Sequence, residues 1–537
     1  MTSLDTAYYC ADGTPFPVAW ARPEDETRTW LRDASHWPQP VCPLEAALHS
    51  LGHRAGLRAF AEAAIPVQPV WRQVYVLNGY LYFDYAPAPP EEQHRTEEAI
   101  NRFADRSGGV LGAWEGFALP RVQTACRLLD DADDATPVAA LADAWYYAWM
   151  LTMAALRPAG MLQERLRVLC IHAFGEDGAL LASELVSGSA NATLAANAAL
   201  WEAAQSAAAI PAVRTLLLDA RAKPDLGALR TVPGSASFVA AIEGLLARYG
   251  RRAESWNLLA HTWSEDPAPL IGLLRQLLTS SAPPPAEALA AAVGRRAALS
   301  VEVEARLPAT PGLRARFRDL VAEAPDFVPV KEGRAEWQLV AWGSLRGALL
   351  RRGRSLAAAG SIRDAEDVFF LLPEEIDRPA GDLAARAADR RQAWQQWAQR
   401  TPPATIGRPP QPADDAAAPP ATAPEPRVIR GLAASRGLAT GRARVVTSLA
   451  GADRLEPGDV LVCVMTAPPW TPLFGIAAAV VTDTGAPLSH AAIVAREYGI
   501  PCVVGARGAT AAIPDGALVT VDGGAGIVRW EDATAAL

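Results

Sequence analysis

The chain has 537 residues, and at roughly 150 residues per domain that predicts about three or four domains rather than a single core. Half of it is apolar, 20% is charged and 7% is aromatic, which excludes a disordered or fibrous chain. Lys plus Arg number 50 against 59 Asp plus Glu, a net charge of −9 that argues against nucleic acid or an anionic membrane as a partner.

The opening MTSLDTAYYCADGTPFPV lacks a basic start followed by an apolar run, so no signal peptide is expected. Cys10, Cys42, Cys126, Cys170, Cys463 and Cys502 are scattered without a C-x-x-C pair and read as free thiols of a cytoplasmic protein. After a proline-rich, aromatic entry, Gln73 to Tyr85 alternates and carries Asn78-Gly79 between two β-rich arms, which predicts a two-residue hairpin. Apolar residues then recur at three- and four-residue spacing, predicting helices over Val138 to Leu156, Leu162 to Phe174, Ala190 to Ala208, Ser237 to Tyr249, Glu287 to Glu304 and Trp337 to Ala359. The most apolar stretch, Ala144 to Leu156, falls short of the roughly 20 residues a bilayer requires and reads as a buried helix.

Thr401 to Pro426 has nine prolines in 26 residues and predicts a flexible Pro/Ala-rich linker, about 80 Å long if fully extended as polyproline II. Beyond it, short Val-rich runs separated by glycine read as strands: Arg442 to Val446, Asp459 to Val464, Ala479 to Asp483, Cys502 to Gly505, Ala517 to Val521 and Ile527 to Trp530. Leu488 to Tyr498 is the one well-formed helix among them. Seven residues follow Trp530, so no further domain is expected there. The expected organisation is multidomain: a mainly α-helical region over 1–400 with a β-hairpin near 73–85, a linker over 401–426, and a small α/β domain over 427–537.

Only Lys223 and Lys331 occur, and neither is near a Gly-rich phosphate loop. With no G-x-x-x-x-G-K-[ST] or G-x-G-x-x-G motif, a complete ATP site is not expected in this chain.

One histidine of seven, His490, follows the linker, within TDTGAPLSHAAIVAREYGIPCVVG (Thr482 to Gly505). A strand ends near Thr482, a turn contains Gly485 and Pro487, Ser489 can cap a helix whose first turn holds His490, and Gly499 with Pro501 ends that helix. The positive end of the helix disfavours an imidazolium and favours an anion, so the ring should stay neutral and nucleophilic and its phosphorylated form should be stabilised. The bland alternative is a helix-start histidine with a structural hydrogen bond.

This segment closely resembles the phosphohistidine, or swivelling, domain of the phosphoenolpyruvate-utilising enzymes and their dikinase relatives: a Gly-rich turn, Ser-His, a helix ending in Ala-Arg-Glu, then Gly-Ile-Pro. Ala486 and Leu488 depart from the pyruvate branch. Phe16 to Leu44, Leu185 to Ala204, Tyr249 to Pro267 and Gly360 to Ile376 resemble the acceptor-binding domain of rifampin phosphotransferase and of the histidine-bearing subunit of phenylphosphate synthase. The resemblance implies that His490 is a phosphoryl carrier, that Ser489 caps the helix and contacts the phosphoryl group, that Gly485 permits close approach, and that Arg496 assists docking or holds charge. It also implies a separate ATP-grasp subunit carrying ATP and Mg²⁺, and a small aromatic hydroxyl compound as acceptor. The alternatives are a rifampin-modifying enzyme and a non-catalytic binding or regulatory relative.

Transfer to a hydroxyl needs a base and cations at the acceptor. His36, in DASHWPQPVCPL, is the candidate base, or else a histidine bonded in a proline-rich turn. Arg251 and Arg252 either contact phosphate or offset a helix dipole. His261 and Trp37 complete the acceptor-binding candidates. Fourteen of sixteen tryptophans precede the linker, most as core and the remainder suited to a flat, apolar acceptor such as a phenol. Asp130 to Asp134 reads as a solvated loop, and no metal ligands are assigned.

Overall fold

A computed structural model describes residues 8–34, 36–67, 74–84, 88–219, 225–280, 283–408 and 427–531. The chain forms two compact units that follow contacts rather than chain order. The first unites Met1–Pro158, Ser255–Ala260 and Trp337–Ala418, and the second Ala159–Glu254, His261–Glu336 and Pro419–Leu537.

In the first unit a small pair, β1 (Tyr8–Tyr9) and β2 (Pro15–Phe16), accompanies an antiparallel sheet of β3 (Thr29–Arg32), β4 (Val74–Leu77), β5 (Tyr80–Asp84) and β6 (Thr405–Gly407), in the order β4-β5-β3-β6. The expected hairpin is present. Leu77 pairs with Tyr80, and Asn78 (φ 51°) and Gly79 (φ 84°) both take the left-handed backbone of a type I′ turn. Gln73 and Tyr85, the expected ends, lie outside the described residues.

β6 corrects the linker expectation at its near end. Ile406 is buried and the Tyr82 hydroxyl donates to the Pro403 carbonyl at 2.7 Å. An edge strand that pairs on one side tolerates the prolines just before it. Residues 409–426 lie outside the described residues.

Two helices run longer than their periodicity predicts. Val138–Phe174 is continuous through Pro158, where two helices were expected. Losing one helical hydrogen bond there is outweighed by burial of Ala154, Ala155, Ala159 and Leu162 on either side. The helix expected from Trp337 begins at Phe327 and runs to Ala358. Its first turns carry Lys331, Glu332, Arg334 and Glu336, charged residues that hide the apolar repeat.

The second unit holds β7 (Val428–Arg430), β8 (Leu432–Ser435), β9 (Leu438–Val445), β10 (Val460–Cys463), β11 (Ala479–Thr482), β12 (Cys502–Val504), β13 (Leu518–Asp522) and β14 (Ile527–Glu531), ordered β7-β14-β13-β9-β10-β11-β12-β8. β9 to β12 are mutually parallel and the flanking pairs antiparallel. The period-two alternation of β10 divides two cores. Val460 and Val462 pack with Val481, Val519 and Val521 on one face. On the other, Leu461 and Cys463 join the His490–Tyr498 helix and the helices Ala192–Ala208, Ala236–Tyr249 and Ala268–Thr279 in one apolar core. Among the described residues no helix is long and apolar enough to cross a membrane.

Candidate functional site

The site grows from the exit of β11. Gly485 has φ 126°, and a β-carbon there would meet the Ser489 hydroxyl at 3.0 Å and Val504 Cβ at 3.3 Å, so the expected need for glycine is met by both backbone and space. The turn delivers Ser489 to the N-cap of the helix His490–Tyr498, which closes at Gly499 in the left-handed conformation. Ser489 corrects one expectation: it occupies the cap position but makes no side-chain cap bond, and its buried hydroxyl has no hydrogen-bond partner. The first-turn N–H groups of a helix lack intrahelical partners, so an uncommitted hydroxyl and a positive helix end converge beside His490.

His490 Nδ1 lies 2.9 Å from Glu332 Oε2, and the two side chains are 9% and 2% exposed. A carboxylate only accepts, so this contact places the ring proton on Nδ1 and leaves the Nε2 lone pair free. The Thr471 hydroxyl lies 3.4 Å from Nε2 while donating to the Pro468 carbonyl at 2.9 Å, and Phe474 meets the ring edge-on. Thr193 donates a second hydrogen bond to Glu332 Oε2 at 2.7 Å. Burial alone would raise the Glu332 pKa, but the positive charge that His490 carries whenever its ring is protonated, its hydrogen bond, the Thr193 hydroxyl and the charge of Lys331 outweigh it and hold the carboxyl below its ordinary value. Burial, aided by Arg334, lowers the Lys331 pKa to about 7. Arg334 is pulled to about 10 by the same burial.

Sequence reasoning missed Glu332, Thr193, Thr471 and Lys331. Neither lysine neighbours a phosphate loop along the chain, yet Lys331 acts on the carboxylate that holds the histidine. A charged run, Lys331-Glu332-Gly333-Arg334, inside an apolar helix was the available signal.

Other expected site residues are placed differently. Arg496, expected to assist docking or hold charge, is buried, its Nη1 donating to the Ala434 carbonyl at 2.5 Å, which ties its helix to β8. Arg252 is 1% exposed, 2.5 Å from Glu336, and stacked on Tyr249 and Trp263, so it neither meets solvent phosphate nor caps a helix. Its charge is committed to a buried pair, which is costly to break. Arg251 and His261 are exposed in the second unit. His36 and Trp37 belong to the first unit. Asp33 holds His36 Nδ1 at 2.9 Å, and the His36 side chain is 42% exposed. The Trp37 indole N–H is committed to Glu45 and to the Trp256 carbonyl. Among the described residues no group of three or more His, Cys, Asp or Glu side chains is arranged to hold a metal ion, so no step is assigned to Mg²⁺ bound by these residues.

Residues 455–526 match the PEP-utilising enzyme mobile domain, and residues 150–332 match the rifampicin phosphotransferase fourth domain. The chain is similar to chondramide synthase of Chondromyces crocatus, 32% identical over 96% of this chain and 14% of that protein. It is also similar to rifampicin phosphotransferase of Streptomyces sviceus, 31% identical over 64% of this chain and 40% of that protein. Phosphoenolpyruvate synthase of Aeropyrum pernix is 52% identical over 19% of this chain and 12% of that protein. The chain thus spans less than half the length of each. Glu332 and His490, the two ends of the central contact, each fall within one of the matched domains, and the two matches together support a relationship to the PEP-utilising and dikinase enzymes.

Proposed function

We propose that this chain is the acceptor-binding and phosphohistidine component of a dikinase-type phosphotransferase. His490 takes a phosphoryl group that originates in ATP and passes it to a hydroxyl of an aromatic acceptor. The observation that carries this reading is the His490–Glu332 contact beside the unpartnered Ser489 hydroxyl.

In the first half-reaction the Nε2 lone pair attacks phosphorus and the bond from phosphorus to the nucleotide oxygen breaks, its electrons leaving with the nucleotide. The Nδ1 proton stays against Glu332, whose fixed negative charge stabilises the positive character the ring acquires. The Ser489 hydroxyl and the helix N–H groups donate hydrogen bonds to the phosphoryl oxygens, with Lys331 supplying positive charge nearby. In the second half-reaction the acceptor oxygen attacks, the N–P bond breaks, the electron pair returns to Nε2, and the acceptor proton goes to a base. For that base we retain His36, which Asp33 orients through Nδ1.

We further propose that an ATP-grasp protein supplies ATP and Mg²⁺. The test is to incubate the full chain with such a protein and ATP labelled at the β-phosphate. Label on His490 that can be chased onto a hydroxylated aromatic compound supports the reading; turnover that survives His490→Ala overturns it. A second reading, in which the acceptor is a rifamycin-like antibiotic, is supported by the match to the rifampicin phosphotransferase fourth domain. A chase with rifampicin beside a panel of simple phenols separates the two.

A further inference from the structure

The second unit carries a cavity of about 360 Å³ between the C-terminal end of the His490–Tyr498 helix and the helix Pro285–Arg306. Gly499 on its wall lies about 14 Å along the axis from His490 at 1.5 Å per residue, so the cavity is separate from the phosphoryl site. Four arginines line it, Arg295, Arg296, Arg436 and Arg496, against two acids, Glu184 and Glu302. Arg295, Arg436 and Glu302 are exposed and form an open rim, whereas Arg496 is 4% exposed and forms the floor.

Both acids are matched: Glu184 lies 3.1 Å from Arg436 Nη1, and Glu302 lies 2.9 Å from Arg306, which is not part of the lining. Arg295 Nη2 donates to the Arg496 and Glu497 carbonyls at 3.0 Å, and Arg296 Nη1 to those of Ser187 and Gly188 at 2.8 and 2.9 Å. A guanidinium has five N–H donors in a planar fork, so these contacts fix both side chains without exhausting them. Gly499 (φ 70°) permits the approach, since a β-carbon there would meet the Arg295 guanidinium carbon at 3.2 Å. Arg496 is served least. Its Nη1 bonds the Ala434 carbonyl, but its Nε and Nη2 are buried without a partner. Burial lowers its pKa to about 10, which leaves it charged at neutral pH. Glu497, its neighbour in sequence, accepts from the Gly188 N–H, and burial raises that carboxyl to about 7. A buried cation short of hydrogen bonds and countercharge is costly, and an anion in the adjoining cavity supplies the missing charge.

We infer that this cavity binds a small dianion of the phosphate-monoester class. Arg295, Arg296 and Arg436 bond its oxygens, Arg496 answers its charge from the floor, and Ala298 and Leu299 meet a short carbon skeleton. Arg496 belongs to the matched segment 455–526, and Arg295 and Arg296 to the matched segment 150–332. The occupant therefore ties the two segments together and holds His490 against Glu332, acting as a brake on the relay. That brake rests on the phosphotransfer reading; the binding does not.

The test titrates the full chain calorimetrically with inorganic phosphate, ribose 5-phosphate and ribose. Both phosphates should bind saturably, ribose 5-phosphate the more tightly, and ribose should not bind. Arg295→Gln and Arg436→Gln should each weaken binding about tenfold, and added salt should weaken it further. Arg316→Gln, on the exposed face of the helix Leu313–Glu323, serves as the control and should leave affinity within about twofold. Should a variant misfold, the unaltered chain labelled with ¹⁵N-arginine gives the same answer, because the Arg496 Nε–H signal should move on adding ribose 5-phosphate. No saturable binding of either phosphate, equal affinity in both rim variants, or an unmoved Arg496 signal overturns the inference. Binding of inorganic phosphate alone overturns the monoester assignment. The brake is read separately, as labelling of His490 by phosphoramidate, whose P–N bond breaks as Nε2 bonds phosphorus and whose protonated nitrogen leaves as ammonia. Ribose 5-phosphate should slow this labelling about fivefold in the unaltered chain and leave it unchanged in Arg436→Gln. Labelling unslowed with the site filled overturns the brake. Failure of labelling without ribose 5-phosphate would sink the relay and spare the site.

Discussion

Two glutamates, one in each unit, are almost wholly buried, Glu45 at 0% and Glu332 at 1% exposure, yet they are pushed in opposite directions. Burial raises the Glu45 pKa to about 8, because its partners, the Leu258 and Trp37 N–H groups, are neutral dipoles that only partly offset desolvation. Glu332 suffers the same desolvation but faces His490, Thr193 and Lys331, and ends below its ordinary value. Company decides the outcome, not depth. The first unit therefore holds a carboxyl whose charged form is disfavoured by its apolar, aromatic surroundings. The second keeps a fixed anion against an imidazole, which suits transfer of charge.

The largest expected effect comes from deleting the imidazole. His490→Ala should lower phosphoryl incorporation by on the order of 10³-fold or more, measured as acid-labile label per chain. Glu332→Gln is the sharper probe of the comparison, since it keeps an acceptor for Nδ1 and removes only the charge. We expect labelling slower by about 10²-fold; a rate within twofold of the unaltered chain would mean that the anion is not what matters. Ser489→Ala should slow labelling by about tenfold and leave the melting temperature nearly unchanged, because no cap bond exists to lose. A loss of about 1 kcal/mol, usual for removing a working cap, would show that the hydroxyl serves the helix instead.

A separate effect is expected on stability as pH changes. An unfolded Glu45 titrates near 4.5 and the folded one near 8. Between those values the folded chain holds a proton that the unfolded chain has released. Stability from this group is therefore fully present below 4.5 and declines as pH rises toward 8. Glu332 has the reverse sign: its contribution is present above pH 4.5 and is lost as pH falls through its lowered folded value. Denaturant unfolding of Glu45→Gln across pH 4.5 to 8 should show a flatter profile than the unaltered chain, and an identical slope would refute the assignment.

What could be read from the sequence was what a few neighbouring residues encode. Asn78-Gly79 specifies its turn, and Gly485, Ser489 and Gly499 bracket the helix of His490, so both were legible. Glu332 was not, because it lies 158 positions from the histidine it holds and no local pattern couples two such distant points. Arg252 and Arg496 show the converse. Along the chain they resemble available cations at helix ends, and only the packed neighbours, Glu336 and the Ala434 carbonyl, reveal that each is already engaged. Pro158 and the residues around Ile406 failed for a third reason, since tertiary burial overrode the local preference for a break.

The apolar core shared by the His490 helix, β10 and the helices Ala192–Ala208 and Ala268–Thr279 has a thermal consequence. Any excursion that carries the histidine away from Glu332 must wet part of that greasy seam, and oil–water contact is penalised less in the cold. The carrier should accordingly detach more readily near freezing than at body heat, with a heat-capacity increase that marks each departure.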